Sequence, residues 1–369
     1  MEPAIYLILN TNINMKALIT AGGHGTRLRP ITYTTNKHLV PIANKPMIFY
    51  TLEKMSKAGI VEVAIVINPG DKIFPKKVGD GSKWGLNITY IEQLGGPLGI
   101  GHVVKIAENF IGRDSFVFYL GDNIILNEID TFIKKFKKEK LNCLLALSKV
   151  KDPQRFGVPE IVDGKIIKIE EKPQKPKSGF AVTGIYIYDF HIFEAVNAIK
   201  PSARGELEIS DAHQYLLDHN YTVGYSEITG WWKDTGKPID LLEGNQLILN
   251  YTETEIDGEI DQRVAIQGKV KIGKGTKIVG NSVIRGPVII GENCVIKDSY
   301  IGPFTAIGDK VEVYGTEIEN SIIFEDADIN CNKRITDSLI GVNATITPVH
   351  ETLPSGHKLL VGDNSFIEL

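Results

Sequence analysis

Cysteine is scarce: Cys143, Cys294 and Cys331 are the only three in 369 residues. Their wide spacing excludes a disulfide framework and a CxxC metal knuckle, so buried thiols in a reducing compartment are expected. Charge of one sign is also lacking. Forty-one basic residues against 45 acidic ones leave a net charge of -4, and nothing general draws the chain to nucleic acid. Long hydrophobic runs are missing too. No stretch reaches the roughly 20 apolar residues that cross a bilayer, so no membrane partner is expected. Residues 1–14 lack the basic region and small-residue cleavage site of a signal peptide. A strand-like run begins directly at Met15, which is the expected natural start, with 1–14 as an upstream extension. The chain reads as cytoplasmic.

What is present fits a soluble globular protein. The composition is 43% apolar and 23% charged, which excludes a mainly disordered chain. At about 150 residues per domain the length predicts two domains, or three. Glycine is abundant, with 36 residues, many of them after position 267. Two periodicities divide the chain. From 16 to about 250, short apolar runs at 17–21, 61–67, 116–120, 143–150 and 180–188 alternate with helix-length segments such as 47–58. That alternation predicts βαβ units around a mostly parallel sheet, with ligands beyond the carboxyl ends of its strands. The lysines 134, 135, 137, 138 and 140, interleaved with Phe132, Ile133 and Phe136, predict the solvated face of an amphipathic helix.

After about 262 the period becomes six. Ile266, Ile272, Ile278, Ile284, Ile290 and Ile296 follow without a break, slip near Gly302 and Pro303, and resume at Ile323, Ile329 and Ile335. An aliphatic every sixth residue, with glycine, asparagine and aspartate at the turns, predicts a parallel β-helix of stacked three-sided coils. An antiparallel sandwich is the alternative, but it does not demand strict sixes. Between the two parts, 251–263 is polar and acidic and reads as a linker. The expected domains are therefore 15–250, then the linker, then a β-helix with its tail over 264–369.

The first expected strand runs into Gly22, Gly23, His24, Gly25, Thr26 and Arg27. Glycines after a strand let backbone N–H groups face a phosphate. The loop is neither a GxGxxG dinucleotide fingerprint, since Leu28 stands at its last glycine position, nor a GxxxxGK[ST] phosphate loop. Lys37 follows ten residues after Arg27, ahead of Pro41 and the Lys45-Pro46 pair. A planar guanidinium and a point-charge ammonium beside backbone donors would suit a triphosphate.

These residues complete the pattern GGxGTRLxPxT…K…P…KP, and later segments follow in order: Gln93 with Pro97-Leu98-Gly99, Leu120 to Asn123, and Phe156-Gly157-Val158. Glu171-Lys172-Pro173, Val182-Thr183-Gly184, Arg204-Gly205-Glu206 and Trp232 to Gly236 come after them. The chain thus resembles the sugar-1-phosphate nucleotidylyltransferases over about 15–369, and within them the long-form glucose-1-phosphate thymidylyltransferases. The resemblance implies a Rossmann-like α/β catalytic domain with a mostly parallel sheet, followed by a left-handed parallel β-helix. It implies dTTP and glucose 1-phosphate as partners and a thymidylyl transfer that releases pyrophosphate.

Roles carried over from the resemblance fall on named positions. Arg27, Lys37 and Lys172 are implied catalytic cations, with Lys172 also on the phosphate of the sugar. Gly22, Gly23, Gly25, Thr26, Gln93, Gly99 and Asp122 are implied in nucleotide binding, Gln93 and Gly99 at the base. Gly157, Glu171, Val182 and Arg204 are implied around the sugar phosphate. Asp122 and Asp234 are the implied ligands of a divalent ion, Mg²⁺, which takes oxygen donors from one or two carboxylates. His38 stands where this family often has glutamine, and the 93–99 loop departs from the short-form pattern. Transfer from UTP or GTP to another sugar 1-phosphate, and a regulatory homologue without turnover, remain alternatives. Related β-helices in acyltransferases use a histidine base. No histidine falls between 264 and 346, so the repeat is expected to serve homo-oligomerisation or regulation.

Overall fold

The computed structural model describes residues 15–348 and 359–368. The expected extension at 1–14 lies outside the described residues. Two compact units emerge. One holds the described residues up to Gly22 together with Leu52–Gly121 and Ile125–Trp232. The other holds Gly23–Thr51, Asp122–Ile124 and the described residues from Lys233 onward.

The first unit is built on the α/β sheet that the alternation predicts. Its strands include β1 (Met15–Thr20), β2 (Glu62–Ile67), β3 (Asn87–Glu92), β4 (Ser115–Leu120) and β5 (Cys143–Lys149). A separate antiparallel pair follows, β6 (Gly157–Val162) and β7 (Lys165–Glu171). The sheet then gains β8 (Phe180–Tyr188) and β9 (Val223–Glu227). Its seven strands run in the order β9-β5-β8-β4-β1-β2-β3. All neighbours are parallel except β8, which runs against both β4 and β5. Runs such as Ala17-Leu18-Ile19 and Val63 to Val66 are buried on both faces, as a covered parallel sheet requires. Each valine, leucine or isoleucine among them contributes about 1.5–3 kcal/mol by leaving water.

Backbone bonds hold the carboxyl ends of neighbouring strands level. Ala21 N–H donates to Val66 O at 2.7 Å, Gly121 N–H to Thr20 O at 3.0 Å, and Gln93 N–H to Ile67 O at 3.0 Å. The loops after β1, β3 and β4 therefore leave the sheet along one edge. The lysine-rich segment is the helix Ile129–Glu139, which buries Ile129, Phe132, Ile133 and Phe136 and exposes Lys134, Lys137 and Lys138.

In the second unit, from residue 255 onward, short strands stack into three parallel sheets of six, six and five strands, the left-handed β-helix. Ile272, Ile278, Ile284, Ile290 and Ile296 all point into a continuous buried column. The slip in period has a simple geometry. Ile266 pairs with Ile284, but Ile284 pairs with Ile301 rather than with position 302. The corner between Ile296 and Ile301 is a residue shorter, as are those between Val313 and Ile318, Ile318 and Ile323, and Ile335 and Ile340, so later coils close in fewer residues.

The stretch 251–263, read as a linker, already belongs in part to the coil. Strands Glu255–Ile256 and Glu259–Ile260 pair with Lys271–Ile272 and Lys277–Ile278. Their glutamates point outward toward lysines of the next coil, Glu255 to Lys271 and Glu259 to Lys277. An end coil with charged outer positions has the composition of a linker.

Candidate active site

In the second unit the glycine loop, the Lys37 turn and the segments at 122 and 234 build one cluster. Gly23 and Gly25 have φ of +102° and +56°. A Cβ on Gly25 would stand 3.0 Å from both Lys37 Cβ and Thr32 Cγ2, so only glycine brings the loop this close to Lys37. Thr32 Oγ1 donates to Gly25 O at 2.7 Å and fixes the loop. Gly25 caps the short helical turn Thr26–Leu28, which carries Arg27. Lys37 begins the turn Lys37–Leu39, capped by Asn36, whose Oδ1 accepts from His38 N–H at 2.9 Å.

Lys37 Nζ forms an ion pair with Asp122 Oδ2, both side chains largely buried. Burial alone would raise the Asp122 carboxyl, but Lys37, joined by His38 and a backbone hydrogen bond, outweighs it and holds the group below the usual carboxylate range. Asp234 moves the other way. Burial, and then repulsion from Asp122, push its carboxyl above that range, while Lys37 and Arg27 pull it back. Thr235 sets this neighbourhood: fully buried, it donates to Asp122 O from its backbone N–H at 3.2 Å and from its Oγ1 at 2.7 Å. A Cβ on Gly236 would lie 2.7 Å from Arg27 Nη2, so the guanidinium rests against bare backbone. His38 is buried and neutral, its imidazole pushed down to about 3 by burial and by Lys37.

The structure thus brings together Arg27, Lys37, Asp122 and Asp234. Asp122 and Asp234 lie close enough to repel each other, and Asp234 is inclined to keep a proton. Hard oxygen donors of this kind suit a divalent ion that completes its shell with water and substrate oxygens. Among the described residues, no group of three or more His, Cys, Asp and Glu side chains is arranged to hold a metal.

The remaining predicted residues lie in the first unit. A Cβ on Gly22 would be 3.4 Å from Asn68 Oδ1 and 3.7 Å from Gln93 Oε1, so Gly22 faces the ends of β2 and β3. Gln93 Nε2 lies 3.2 Å from His102 Nδ1. Gly99, with φ of +92°, packs where a Cβ would be 2.6 Å from Leu207 O. Gly157 and Glu171 are paired across β6 and β7. A Cβ at 157 would meet Ser210 Oγ at 3.0 Å, Glu171 Oε2 at 3.3 Å and Val182 Cβ at 3.6 Å. Ser210 Oγ donates to Glu171 Oε2 at 2.7 Å, and Lys172 Nζ lies 3.4 Å from Glu171 Oε1.

Lys172 has a left-handed backbone, φ +46°, and its N–H donates to Phe156 O at 3.0 Å. Strain at a non-glycine residue concentrates at functional positions. Arg204 is differently placed. Its Nη2 is 2.9 Å from both carboxylate oxygens of Glu208, so its charge is already matched. The sequence-derived roles leave out Thr235, Gly236, Ser210 and His102. The first two carry a signal, since they complete the Trp232 to Gly236 segment; Ser210 and His102 carry none.

The fold agrees with what comparison with known proteins finds. A family model described as nucleotidyl transferase matches residues 16–251. A glucose-1-phosphate thymidylyltransferase of Streptomyces antibioticus is 45% identical over 357 residues, covering 96% of this chain and 99% of its own. The low-salt glycan biosynthesis nucleotidyltransferase Agl11 of Haloferax volcanii is 40% identical over 358 residues, covering 96% of this chain and 100% of its own. A crystal structure from Bacillus anthracis, described as a glucose-1-phosphate thymidylyltransferase, aligns with a TM-score of 0.60 at 41% identity. It covers 63% of this chain and 94% of its own. The chain belongs to the nucleotidyl transferase family.

Proposed function

We propose that this chain transfers a thymidylyl group from dTTP to α-D-glucose 1-phosphate, giving dTDP-glucose and pyrophosphate. A sugar phosphate oxygen attacks the α-phosphorus, a P–O bond forms there, and the bond to the departing pyrophosphate breaks in line. Reactions of this kind depend on positioning and charge neutralisation more than on covalent help. The observation that carries the reading is the clustering of Arg27, Lys37 and Asp234 around the buried Asp122.

In this reading the N–H groups of Gly22, Gly23, Gly25 and Thr26 bind nucleotide phosphates, and Arg27 balances the charge on the leaving pyrophosphate. Lys37 neutralises phosphate oxygens while Asp122 keeps its ammonium placed. Gln93 and Gly99 read the base; an amide can meet both a donor and an acceptor of a pyrimidine edge. Lys172 holds the phosphate of the sugar. Glu171, oriented by Ser210, accepts a sugar hydroxyl, beside backbone groups of Gly157 and Val182. Arg204 acts at most on the rim of this site, through Glu208. Mg²⁺ held by Asp122 and Asp234 supplies further neutralisation of the triphosphate when bound.

We assign catalysis to 15–250 and homo-oligomerisation to the β-helix over 264–369, where flat stacked faces are natural packing surfaces. Three free cysteines and highly charged substrates support a cytoplasmic location. Pyrophosphate release, measured for dTTP, UTP and GTP against glucose 1-phosphate and mannose 1-phosphate, tests the reading. Fastest turnover of dTTP with glucose 1-phosphate supports it. Preference for another pair replaces the substrate assignment, and no turnover with any pair leaves a regulatory homologue.

A further inference from the structure

The helix Pro238–Leu249 begins just after Gly236 and buries one amide completely, that of Asn245. Both ends of the amide are used. Its Oδ1 accepts from Ala43 N–H at 2.9 Å, and its Nδ2 donates to Phe304 O at 2.8 Å. Phe304 belongs to the β-helix, at the corner before the strand Thr305–Ile307. One side chain therefore bridges the coil and the segment around residue 43.

That segment is a hairpin in a demanding conformation. Pro41–Ile42 pairs with Lys45–Pro46, and the two tip residues, Ala43 and Asn44, have φ of +47° and +60°. A two-residue hairpin loop with both φ positive favours Asn-Gly or Gly-Gly. Asn44 tolerates this region; Ala43 does not, because its Cβ crowds the following carbonyl. Something outside the hairpin must hold the turn. Asn245 takes the Ala43 N–H, and Asn44 Nδ2 donates to Ile307 O of the β-helix at 2.5 Å. The helix can approach because residue 244 is glycine, where a Cβ would already stand 3.2 Å from Ile42 Cδ1.

The hairpin in turn places Lys37. It starts one residue after the Lys37–Leu39 turn, and Met47 N–H closes the segment on Val40 O at 3.2 Å. The same helix follows directly on Asp234 to Gly236. We infer that Asn245 is a positioning residue: through it the β-helix holds the strained 43–44 turn, and with it Lys37, in register with Asp234. The β-helix then acts as the fixed base on which the phosphate-binding cations are set. This inference rests on the role proposed above for Lys37.

The test uses the full chain and whichever nucleotide and sugar phosphate the wild type turns over, so an error in base or sugar leaves the comparison intact. Asn245→Ala is expected to lower kcat at least tenfold, with KM for the sugar phosphate within about twofold. Amide exchange across 41–46 is expected to quicken. Ala43→Gly in that background should recover most of kcat, since glycine adopts the turn without the Cβ clash. A residue that merely filled the core would not be rescued at position 43. Gln246→Ala, which removes a bond to Asn320 beside this bridge, is the control and should leave kcat unchanged. If Asn245→Ala does not fold, Asn44→Ala and Asn44→Gly replace it, and the glycine variant should stay active where the alanine variant loses activity. Wild-type kcat in Asn245→Ala, a loss that Ala43→Gly leaves untouched, or equal activity of the two Asn44 variants would each overturn the inference. Unchanged exchange across 41–46 would do so whatever the substrate proves to be.

Discussion

Lys37 and Asp122, 85 positions apart in the chain, form a largely buried ion pair beside Arg27 and Asp234. The pair does two things. It keeps Asp122 ionised in a dry setting, and it holds the lysine ammonium where a triphosphate would need it.

Breaking that pair should therefore cost both stability and turnover. Lys37→Met leaves Asp122 unpaired beside Asp234, and loss of one buried partner destabilises by roughly 3 kcal/mol. Thermal unfolding should show the loss in metal-free protein and a partial recovery on adding Mg²⁺. Pyrophosphate release should fall at least a hundredfold. A variant that keeps its melting temperature and its rate would remove Lys37 from the cluster.

Asp234 gives the pH dependence. Burial and the neighbouring Asp122 raise its carboxyl, so it retains a proton at pH values where an ordinary carboxylate, near pH ~4, has lost one. A raised carboxyl stabilises the metal-free fold below its unfolded value, and that contribution fades as pH rises through the folded value. A cation has to displace the same proton. The Mg²⁺ concentration for half-maximal rate should accordingly rise as pH falls from neutrality toward the ordinary carboxylate range. Titrations at several pH values measure this, and a pH-independent requirement would contradict the placement of Asp234.

Gly236→Ala separates activity from stability. The new Cβ would meet the tip of Arg27, a side chain that can swing away, rather than backbone. Stability should stay within about 0.5 kcal/mol of wild type, as for substitutions that disturb no core or network. The rate should fall about tenfold if Arg27 has the role proposed for it, because the guanidinium would be displaced from its place. Unfolding curves and kcat on one preparation decide it.

Lys172→Ala should raise KM for the sugar phosphate by about ten- to a hundredfold, since hydrogen bonds to charged groups are worth about 1.5–3 kcal/mol. KM for the nucleotide should change much less. Equal effects on both substrates would take the sugar phosphate away from Lys172.

In the β-helix, Ile296 is fully buried in the stacked column. Ile296→Ala should cost about 2–5 kcal/mol, the transfer loss plus the cavity it leaves. Chemical denaturation followed by circular dichroism measures it.

Much of this architecture is legible in the order of the residues alone. The sheet shows because strands buried on both faces need runs such as Ala17 to Ile19. The coils show because a three-sided helix turns one side chain inward every sixth residue. The end coil at 255–260 is hidden because its outward glutamates mask the two isoleucines of its strands. At the site, residue types are readable and meetings are not. Lys37 and Asp122 come together only through the fold, and Gly236 shows its purpose only once Arg27 lies against it. Asn245 carries no signal at all, being one amide in a helix whose apolar pattern is weak.

In the proposed function, Asp122 and Asp234 together gather a divalent cation that lets dTTP and glucose 1-phosphate react. Pyrophosphate release from this pair by Asp122→Asn and Asp234→Asn, measured across Mg²⁺ concentrations on folded protein, tests it directly. Both variants should fall by at least a hundredfold and gain little from added metal. Either one turning over at the wild-type rate with the wild-type metal dependence would contradict the account.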